Sequence, residues 1–357
     1  MKDWPFEVHP TGWYQVDWSA ALAPGQIKAL KYFSEELILY RGEDGGRAQV
    51  LSAYCPHLGA HLGHGGKVCG SEVQCPWHGW RWGADGCNTH IPYAERPTQR
   101  GRLTAWETRE IDGVVIVWYD ANGDPPSWEW KGVPEFRDEQ AYYPIFPYGA
   151  ERHGQRRIMP QSVLENFADT EHFPYVHGAG EPGTHASWEE DGHYLNVKFA
   201  MNFGANGPPT WLTPNGPVAG VIESEAFGLG LGIARFLVEG RTVAQLVATT
   251  PIDEEHSEMF STITTNRIPG TTEPEGVAAK WIALQQEQIT HDFHIWENQR
   301  YVDKPLYAGS EERPFVGVRR FALQFYPAKR GDAATAGRRP EKVVEVTLDE
   351  PAEVVTP

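Results

Sequence analysis

The chain predicts an α+β protein of two domains, a strand-rich N-terminal part followed by a larger part that mixes strands with helices. Three observations lead there. At 357 residues the chain is about twice the ~150 residues of a typical domain. It holds 14 Trp, 14 Tyr and 15 Phe beside 37 Gly and 28 Pro, a composition of short strands and tight turns rather than helical bundles. Only one long segment, near the C-terminal end, carries apolar residues at sustained helical spacing.

Taken in order, the first strands are expected at Trp13 to Trp18, Ile27 to Gly42, Gln49 to Tyr54 and Gly113 to Tyr119, with Gly, Pro and Asp between them. Val114 to Trp118 is a compact β-branched run and reads as a buried strand. Asp124-Pro125-Pro126-Ser127 marks a joint, so domains are expected at 10–122 and 123–330, with a tail at 331–357. A helical stretch should surround Gln161 to His172. Phe227 to Phe236 alternates glycine with apolar residues, which suggests a strand with one bare face at Gly228, Gly230 and Gly232. That face could admit a flat ligand close to backbone, or let another element pack closely. A dinucleotide fingerprint is excluded there, because Ile233 breaks the G-x-G-x-x-G spacing. From Glu275 to Tyr301, Ala278, Trp281, Ile282, Ile289, Phe293 and Trp296 fall at helical spacing.

Charge narrows the function classes. Acidic residues outnumber basic ones 48 to 31, for a net charge of −17 and a pI of about 5.3. Such a balance argues against nucleic acid, which needs a basic footprint, and against an anionic membrane surface. No apolar run of ~18 residues suggests a transmembrane helix, and Met1 to Glu7 lacks the apolar core of a secretory leader. A cytoplasmic location is therefore expected. The cysteines Cys55, Cys69, Cys75 and Cys87 fall close together, which in such a chain points to metal more than to disulfides. Cys69 and Cys87 are expected as buried free thiols.

Cys55-Pro56-His57 and Cys75-Pro76-Trp77-His78 form C-x-H and C-x-x-H. Two thiolates and two imidazoles could hold a tetrahedral zinc, or could divide between the two irons of a [2Fe–2S] cluster. The spacing favours the cluster, because each loop then gives one ligand to each iron, whereas zinc modules more often pair Cys with Cys. Leu58-Gly59-Ala60 after the first pair and Gly79-Trp80 after the second complete a motif that resembles the Rieske family closely. His61 and His64 fit neither loop pattern and are expected on the loop surface.

Downstream, Asp169-Thr170-Glu171-His172-Phe173-Pro174-Tyr175-Val176-His177 contains D-x-x-H-x-x-x-x-H. Histidines five apart do not share a helix face, and Pro174 should break the helix so that His177 returns toward His172. Two imidazoles and one carboxylate would make the facial triad of a non-haem Fe(II) oxygenase, which leaves positions open for O2. For the carboxylate, the late helix offers Glu287, Asp292 and Glu297.

Together these segments resemble the terminal oxygenase component of Rieske non-haem iron oxygenases, and among them the 3-ketosteroid 9α-hydroxylase oxygenase type. Trp80-Arg81-Trp82-Gly83-Ala84-Asp85-Gly86, Ile91-Pro92-Tyr93-Ala94, Asp169 to Phe173 and Asp292-Phe293-His294-Ile295-Trp296 carry the resemblance. It implies an N-terminal Rieske β-domain followed by a helix-grip catalytic domain, an antiparallel sheet around a long helix. It also implies Cys55 and Cys75 on one iron of the cluster and His57 and His78 on the other, with His172, His177 and Asp292 on a mononuclear Fe(II). Electrons would come from NAD(P)H through a separate flavin/iron–sulfur reductase, with or without a ferredoxin. A small apolar cyclic, steroid-like substrate and O2 would be the reactants, and a homotrimer the assembly. Asp169 would be the catalytic bridging acid, bonded to His172 and to His78 of the partner subunit. High-potential Rieske proteins carry a loop-joining cysteine pair and a serine hydroxyl where this chain has Ala60, Trp77 and Trp80. A low-potential cluster is therefore expected.

Overall fold

The computed structural model describes residues 4–6, 9–179, 181–203 and 216–326. The tail at 331–357 lies outside them. The N-terminal strands are β1 (Gly12–Trp18), β2 (Ile27–Tyr32), β3 (Glu35–Tyr40), β4 (Gln49–Ser52), β5 (Lys67–Cys69) and β6 (Glu72–Gln74). They continue as β7 (Arg81–Trp82), β8 (Asn88–His90), β9 (Ala105–Trp106), β10 (Thr108–Ile111) and β11 (Val114–Tyr119). Three antiparallel sheets result, ordered β1-β11-β10, β2-β3-β4-β9 and β5-β6-β7-β8. The β-branched run of β11 is buried as its composition implies, with Val114 to Val117 fully inaccessible.

One expected strand, Ile27 to Gly42, is instead a hairpin. Phe33 and Ser34 both have positive φ, 56° and 63°, in a two-residue turn between β2 and β3. Neither residue type favours that conformation. Tertiary contacts hold it: the Phe33 and Ser34 amides donate to the carbonyls of Pro251 and Ile252 at 2.8 Å each, and the Phe33 ring stacks on Tyr119 and Trp106.

After a short helix α1 (Pro134–Arg137) come β12 (Ala150–Arg156), α2 (Pro160–Asn166) and α3 (Phe173–Val176). A meander follows: β13 (Thr184–Asp191), β14 (Tyr194–Phe203), β15 (Val218–Phe227), β16 (Leu231–Val238), β17 (Arg241–Pro251) and β18 (Ser257–Thr265). The helices α4 (Gly276–Trp296) and α5 (Glu312–Leu323) complete the chain. Strands β12 to β18 form one seven-stranded antiparallel sheet, ordered β12-β18-β17-β16-β15-β14-β13. The long helix α4 lies against β17 and β18.

Alternation along the strands sorts the two faces of this sheet. Leu231, Ile233, Leu246, Ala248 and Phe260 join Trp13, Val16 and Val115 in the largest buried cluster, which welds the sheet to the N-terminal strands. On the other face, Ala234 and Phe236 of β16 and Gln245 and Val247 of β17 line a cavity under α4.

The glycine-rich run at 227–236 is therefore not one strand with a ligand-binding face. Gly228, at φ 64°, turns the chain between β15 and β16. A Cβ on Gly230 would lie 2.5 Å from the Trp13 carbonyl and from the Tyr14 ring, and one on Gly232 would overlap the Phe167 ring. The packing explanation holds, since none of the three glycines lines the cavity. Of the Gly- and Pro-rich stretch Gly204 to Gly220, residues 204–215 lie outside the described residues.

Candidate metal centres and substrate cavity

The two cysteine loops share one backbone design. In the first, after β4, the Cys55 amide donates to the Ala60 carbonyl (2.9 Å) and the Gly59 amide to the Cys55 carbonyl (2.9 Å). In the second, between β6 and β7, Cys75 donates to Trp80 (2.8 Å) and Gly79 to Cys75 (3.2 Å). The closing turn needs a left-handed residue, and glycine supplies it twice, at φ 77° for Gly59 and 73° for Gly79.

Both thiols are buried, Cys55 at 1% and Cys75 at 2% exposure, while the His57 and His78 rings sit 4.7 Å apart at 74°. Burial, with neighbouring Cys75 adding to it, pushes the Cys55 thiol up to about 11. His78 Nδ1 is buried with no hydrogen-bond partner among the described residues. Two apolar-walled sulfurs and an orphaned imidazole nitrogen are a donor set that fits an iron–sulfur cluster.

Around these loops, His57 stacks on Trp80 (4.3 Å, 8°), and the Trp80 indole N–H donates to the Tyr93 hydroxyl (2.8 Å). The side chain standing where a serine would donate to cluster sulfur thus has its N–H turned elsewhere. Tyr54, Leu58, Trp77 and Tyr93 are exposed over this region, Trp77 at 60% and Tyr93 at 64%. His64 is exposed, but His61 is half-buried, set edge-on against Tyr54 and 3.7 Å from Glu36. Cys69 and Cys87 are free thiols, but neither is fully buried: Cys69 is half-buried at the end of β5, and Cys87 is exposed directly after the Gly83–Gly86 turn.

The second donor set depends on a helix that stops early. The expected helical stretch 161–172 ends at Asn166, and the next helix is the single turn α3. His172 is its N-cap and His177 its C-cap, with Pro174 in its first turn. Proline therefore starts a turn here instead of breaking one, and the outcome is convergence: the rings lie 5.1 Å apart at 72°.

Asp292 of α4 completes the group, and its ligand atom and those of the two histidines all lie within 4.8 Å of one another. His177 Nε2 is 3.5 Å from Asp292 Oδ2. Of the other acids considered, Glu287 is exposed and Glu297 is paired with Arg156 at 3.1 Å. His291 lies near His177, with ring centroids 6.1 Å apart, and His294 is exposed.

Burial shapes the electrostatics of this group. It raises the Asp292 carboxyl to about 6, against the opposing pull of His172 and of a hydrogen bond from Asn166. Burial, with His172 and His291 adding to it, lowers His177 to about 4. A buried acid next to two imidazoles is a site that a divalent cation would stabilise, and two nitrogens with one carboxylate suit non-haem iron. Asp169 Oδ1 accepts the amides of Glu171 (2.9 Å) and His172 (3.3 Å). Its Oδ2 lies 3.3 Å from His172 Nδ1.

Sequence reasoning missed Asn166, whose Nδ2 donates to Asp292 Oδ1 at 3.2 Å. Its signal was available, since it ends the helix just before Asp169. Trp82 was also missed; its indole N–H is buried without an oxygen or nitrogen partner and lowers the Cys55 thiol.

The second donor set opens into a cavity of about 450 Å³ between α4 and the sheet, within the size range of small-molecule sites. Phe173, Phe199, Phe203, Phe236, Trp281 and Trp296 give it mostly apolar walls.

Residues 12–108 match the Rieske [2Fe-2S] domain, and residues 117–326 match the 3-ketosteroid 9alpha-hydroxylase C-terminal domain. With the seven-stranded sheet and its long helix, these define a Rieske oxygenase, an enzyme with a [2Fe–2S] cluster and a mononuclear iron. More narrowly, the chain belongs to the 3-ketosteroid 9α-hydroxylase C-terminal domain family. It is 29% identical to a cholesterol 7-desaturase of Hemicentrotus pulcherrimus, over 89% of this chain and 70% of that one. It is 28% identical to the oxygenase component of a 3-ketosteroid-9-alpha-monooxygenase of Rhodococcus rhodochrous, over 88% of this chain and 83% of that one. Among solved structures, dicamba monooxygenase has a similar fold at 19% identity, with a TM-score of 0.69 over 88% of this chain and 96% of that one. Among the described residues, no helix is long and apolar enough to cross a membrane.

Proposed function

We propose that this chain is the terminal oxygenase of a multicomponent monooxygenase that hydroxylates an apolar, steroid-like cyclic substrate with O2 and electrons from a separate NAD(P)H-dependent reductase. The observation that carries this reading is the convergence of His172, His177 and Asp292 at a mostly apolar cavity. In it, residues 10–122 form the electron-receiving domain and 123–330 the catalytic one. Cys55 and Cys75 hold one iron of the cluster, His57 and His78 the other, and His172, His177 and Asp292 the mononuclear iron. When bound, the cluster passes electrons singly and the mononuclear iron activates O2.

The chain's own residues do the rest. Asn166 holds the Asp292 carboxylate by one oxygen and leaves the other directed at His177. Asp169 fixes the ring orientation of His172 from behind, as outer carboxylates do for metal-bound histidines. The aromatic walls exclude water and press an apolar ring system toward the donors. Asp169 is only half-buried, which supports a second role, contact with His78 of the partner subunit in a head-to-tail homotrimer. The exposed Tyr54, Leu58, Trp77 and Tyr93 supply an apolar docking face for that assembly.

Desaturation is the second reading, favoured by the comparable match to a cholesterol 7-desaturase. Product mass separates the two, as hydroxylation adds one oxygen and desaturation removes two hydrogens. Metal analysis tests the shared premise. The wild-type chain should bind three irons with two acid-labile sulfides, and Asp292→Ala should lose one iron while keeping the Rieske EPR signal. A wild-type chain that binds only two irons is an electron carrier and overturns the proposal.

A further inference from the structure

Charge is unevenly spread over this acidic chain. The whole sequence holds 48 acidic against 31 basic residues. Between Trp77 and Arg102 the balance reverses, with Arg81, Arg96, Arg100 and Arg102 against Asp85 and Glu95. Arg96, Arg100 and Arg102 are exposed. Arg102 gives one N–H to the Asp85 carbonyl at 2.7 Å, and Arg81 lies 4.0 Å from Glu72. The guanidinium groups of Arg96 and Arg100 have no partner among the described residues. Two unpaired cations in a chain rich in carboxylates leave a local positive field.

The fold sets that field beside the cysteine loops. Pro92 lies against Gly79 of the second loop, its Cγ 3.0 Å from where a Cβ would stand. Tyr93 accepts the Trp80 N–H, and Trp80 stacks on His57. Farther on, the Thr98 amide donates to Asn88 Oδ1 at 3.0 Å. Gly101 lies against Pro56 of the first loop, 3.3 Å from its Cβ on the same measure, and Arg102 is bridged to Cys87. Segment 92–102 is thus a strap tied at both loops, with Arg96 and Arg100 between the ties. It leads inward through Tyr93 and Trp80 to His57. Trp77, whose ring is 4.6 Å from that of His78, marks the other imidazole.

We propose that segment 92–102 is the docking face for an acidic protein electron donor, with Arg96 and Arg100 steering its carboxylates to the His57 side of the cluster loops. This rests on the reading of the chain as an oxygenase supplied by a separate reductase. The same reading turns His78 toward the partner subunit, so electrons enter beside one imidazole and leave beside the other. One electron passes from donor to acceptor, and no bond is made or broken. In about 0.1 M salt, charges more than about 10 Å away are largely screened. An approaching acidic protein therefore meets the arginines before it meets the net charge of −17. Complementary patches of this kind set the encounter rate more than the affinity.

Stopped-flow reduction of the iron-loaded protein by excess reduced plant-type [2Fe–2S] ferredoxin tests this, since that probe is acidic and more reducing than a Rieske centre. The sign of the salt effect decides. Two acidic proteins without a complementary patch repel, and salt speeds their encounter; docking on the arginines makes salt slow it. The wild-type second-order constant should fall about tenfold between about 0.1 M and about 0.5 M salt. Arg96→Glu combined with Arg100→Glu should lower the low-salt constant about tenfold and reverse the salt effect. Photoreduction by a neutral deazaflavin should be equally fast in both proteins, and their sedimentation should be the same. Circular dichroism identifies a misfolded variant, in which case Arg96→Gln with Arg100→Gln takes its place and should flatten the salt effect. A wild-type constant that rises with salt, or a folded variant that matches wild type, overturns the docking face and leaves the oxygenase reading standing. A variant that shifts toward monomer assigns the arginines to contact between copies of this chain and also overturns it. An iron-loaded chain that shows no Rieske EPR signal and takes no electron from either reductant overturns the oxygenase reading and the face with it.

Discussion

Asp169 and His153 show how much a single side chain can decide here. Asp169 accepts the His172 amide and places its Oδ2 3.3 Å from the His172 ring Nδ1, yet its carboxylate is not among the converging donors. Asp169→Asn keeps the size and removes the charge that two imidazoles would share. Iron and cluster content should be retained and the cluster should still accept electrons, while turnover falls by 10²-fold or more, on the order of 3 kcal/mol. Stopped-flow reduction of the cluster and steady-state O2 uptake, measured on the same preparation, check this. His153 sits on β12 with its ring edge-on to Phe293 (5.1 Å) and with Nε2 buried and unpartnered. Burial, then the nearby Arg156 charge, lowers it from 6.5 to about 4. Between those values the unfolded chain binds a proton that the folded chain refuses, so His153 makes stability fall as pH drops from about 6.5 to about 4. Glu151, 3.7 Å from Nδ1, opposes this only weakly. His153→Leu should flatten that part of the stability profile by up to about 3 kcal/mol, read from urea unfolding at successive pH values.

At the scale of elements, the donors are placed by two helices and a turn whose ends are tied from outside. Glu165 of α2 is buried and accepts both Arg319 Nε (3.0 Å) and Arg319 Nη2 (3.2 Å) from α5. Gln161 adds a third donor at 3.0 Å. This fork fastens α5 to the helix that ends in Asn166. Arg319→Met should destabilise the protein by about 3 kcal/mol, because it strands a buried carboxylate. The double change with Glu165→Gln should recover much of the loss. Chemical denaturation of the three variants forms the cycle, and a single-variant cost below about 1 kcal/mol would show the pair to be dispensable.

For the whole molecule, two regions of exposed apolar side chains bear on assembly. One surrounds the cysteine loops, and the other includes Tyr175, 89% exposed, within the turn that carries His172 and His177. A head-to-tail trimer would bring one to the other. Leu58→Asp should shift the protein toward monomer in analytical ultracentrifugation and lower turnover at least tenfold, with cluster absorbance intact. A trimer with normal turnover would remove this face from the assembly. The cluster itself should have a midpoint in the lower part of the ~−150 to +300 mV Rieske range, since Trp80 gives its N–H to Tyr93.

What the amino-acid order determined by itself was local chemistry. Cys55, His57, Cys75 and His78 lie on two short loops, and a ligand pattern that short survives any arrangement of the rest. Each loop also carries its own glycine at the fourth place after cysteine. His172 and His177 were legible for the same reason, although the turn that joins them was not. Pro174 and the capping histidines are decided by where α2 stops, and α2 stops where Phe167 packs onto Gly232, more than sixty residues on. Long-range partners decided the remainder. Asp292 meets the histidines only because α4 lies across β17 and β18. The β2–β3 turn forms because Pro251 and Ile252 accept its amides. Gly230 and Gly232 make room for Trp13, Tyr14 and Phe167, and the face toward the cavity belongs to alternate residues of β16 and β17. Spacing along a chain encodes which side chains share a loop or a helix face, whereas which faces meet depends on burial shared between distant segments, and that is settled only when the sheet has formed.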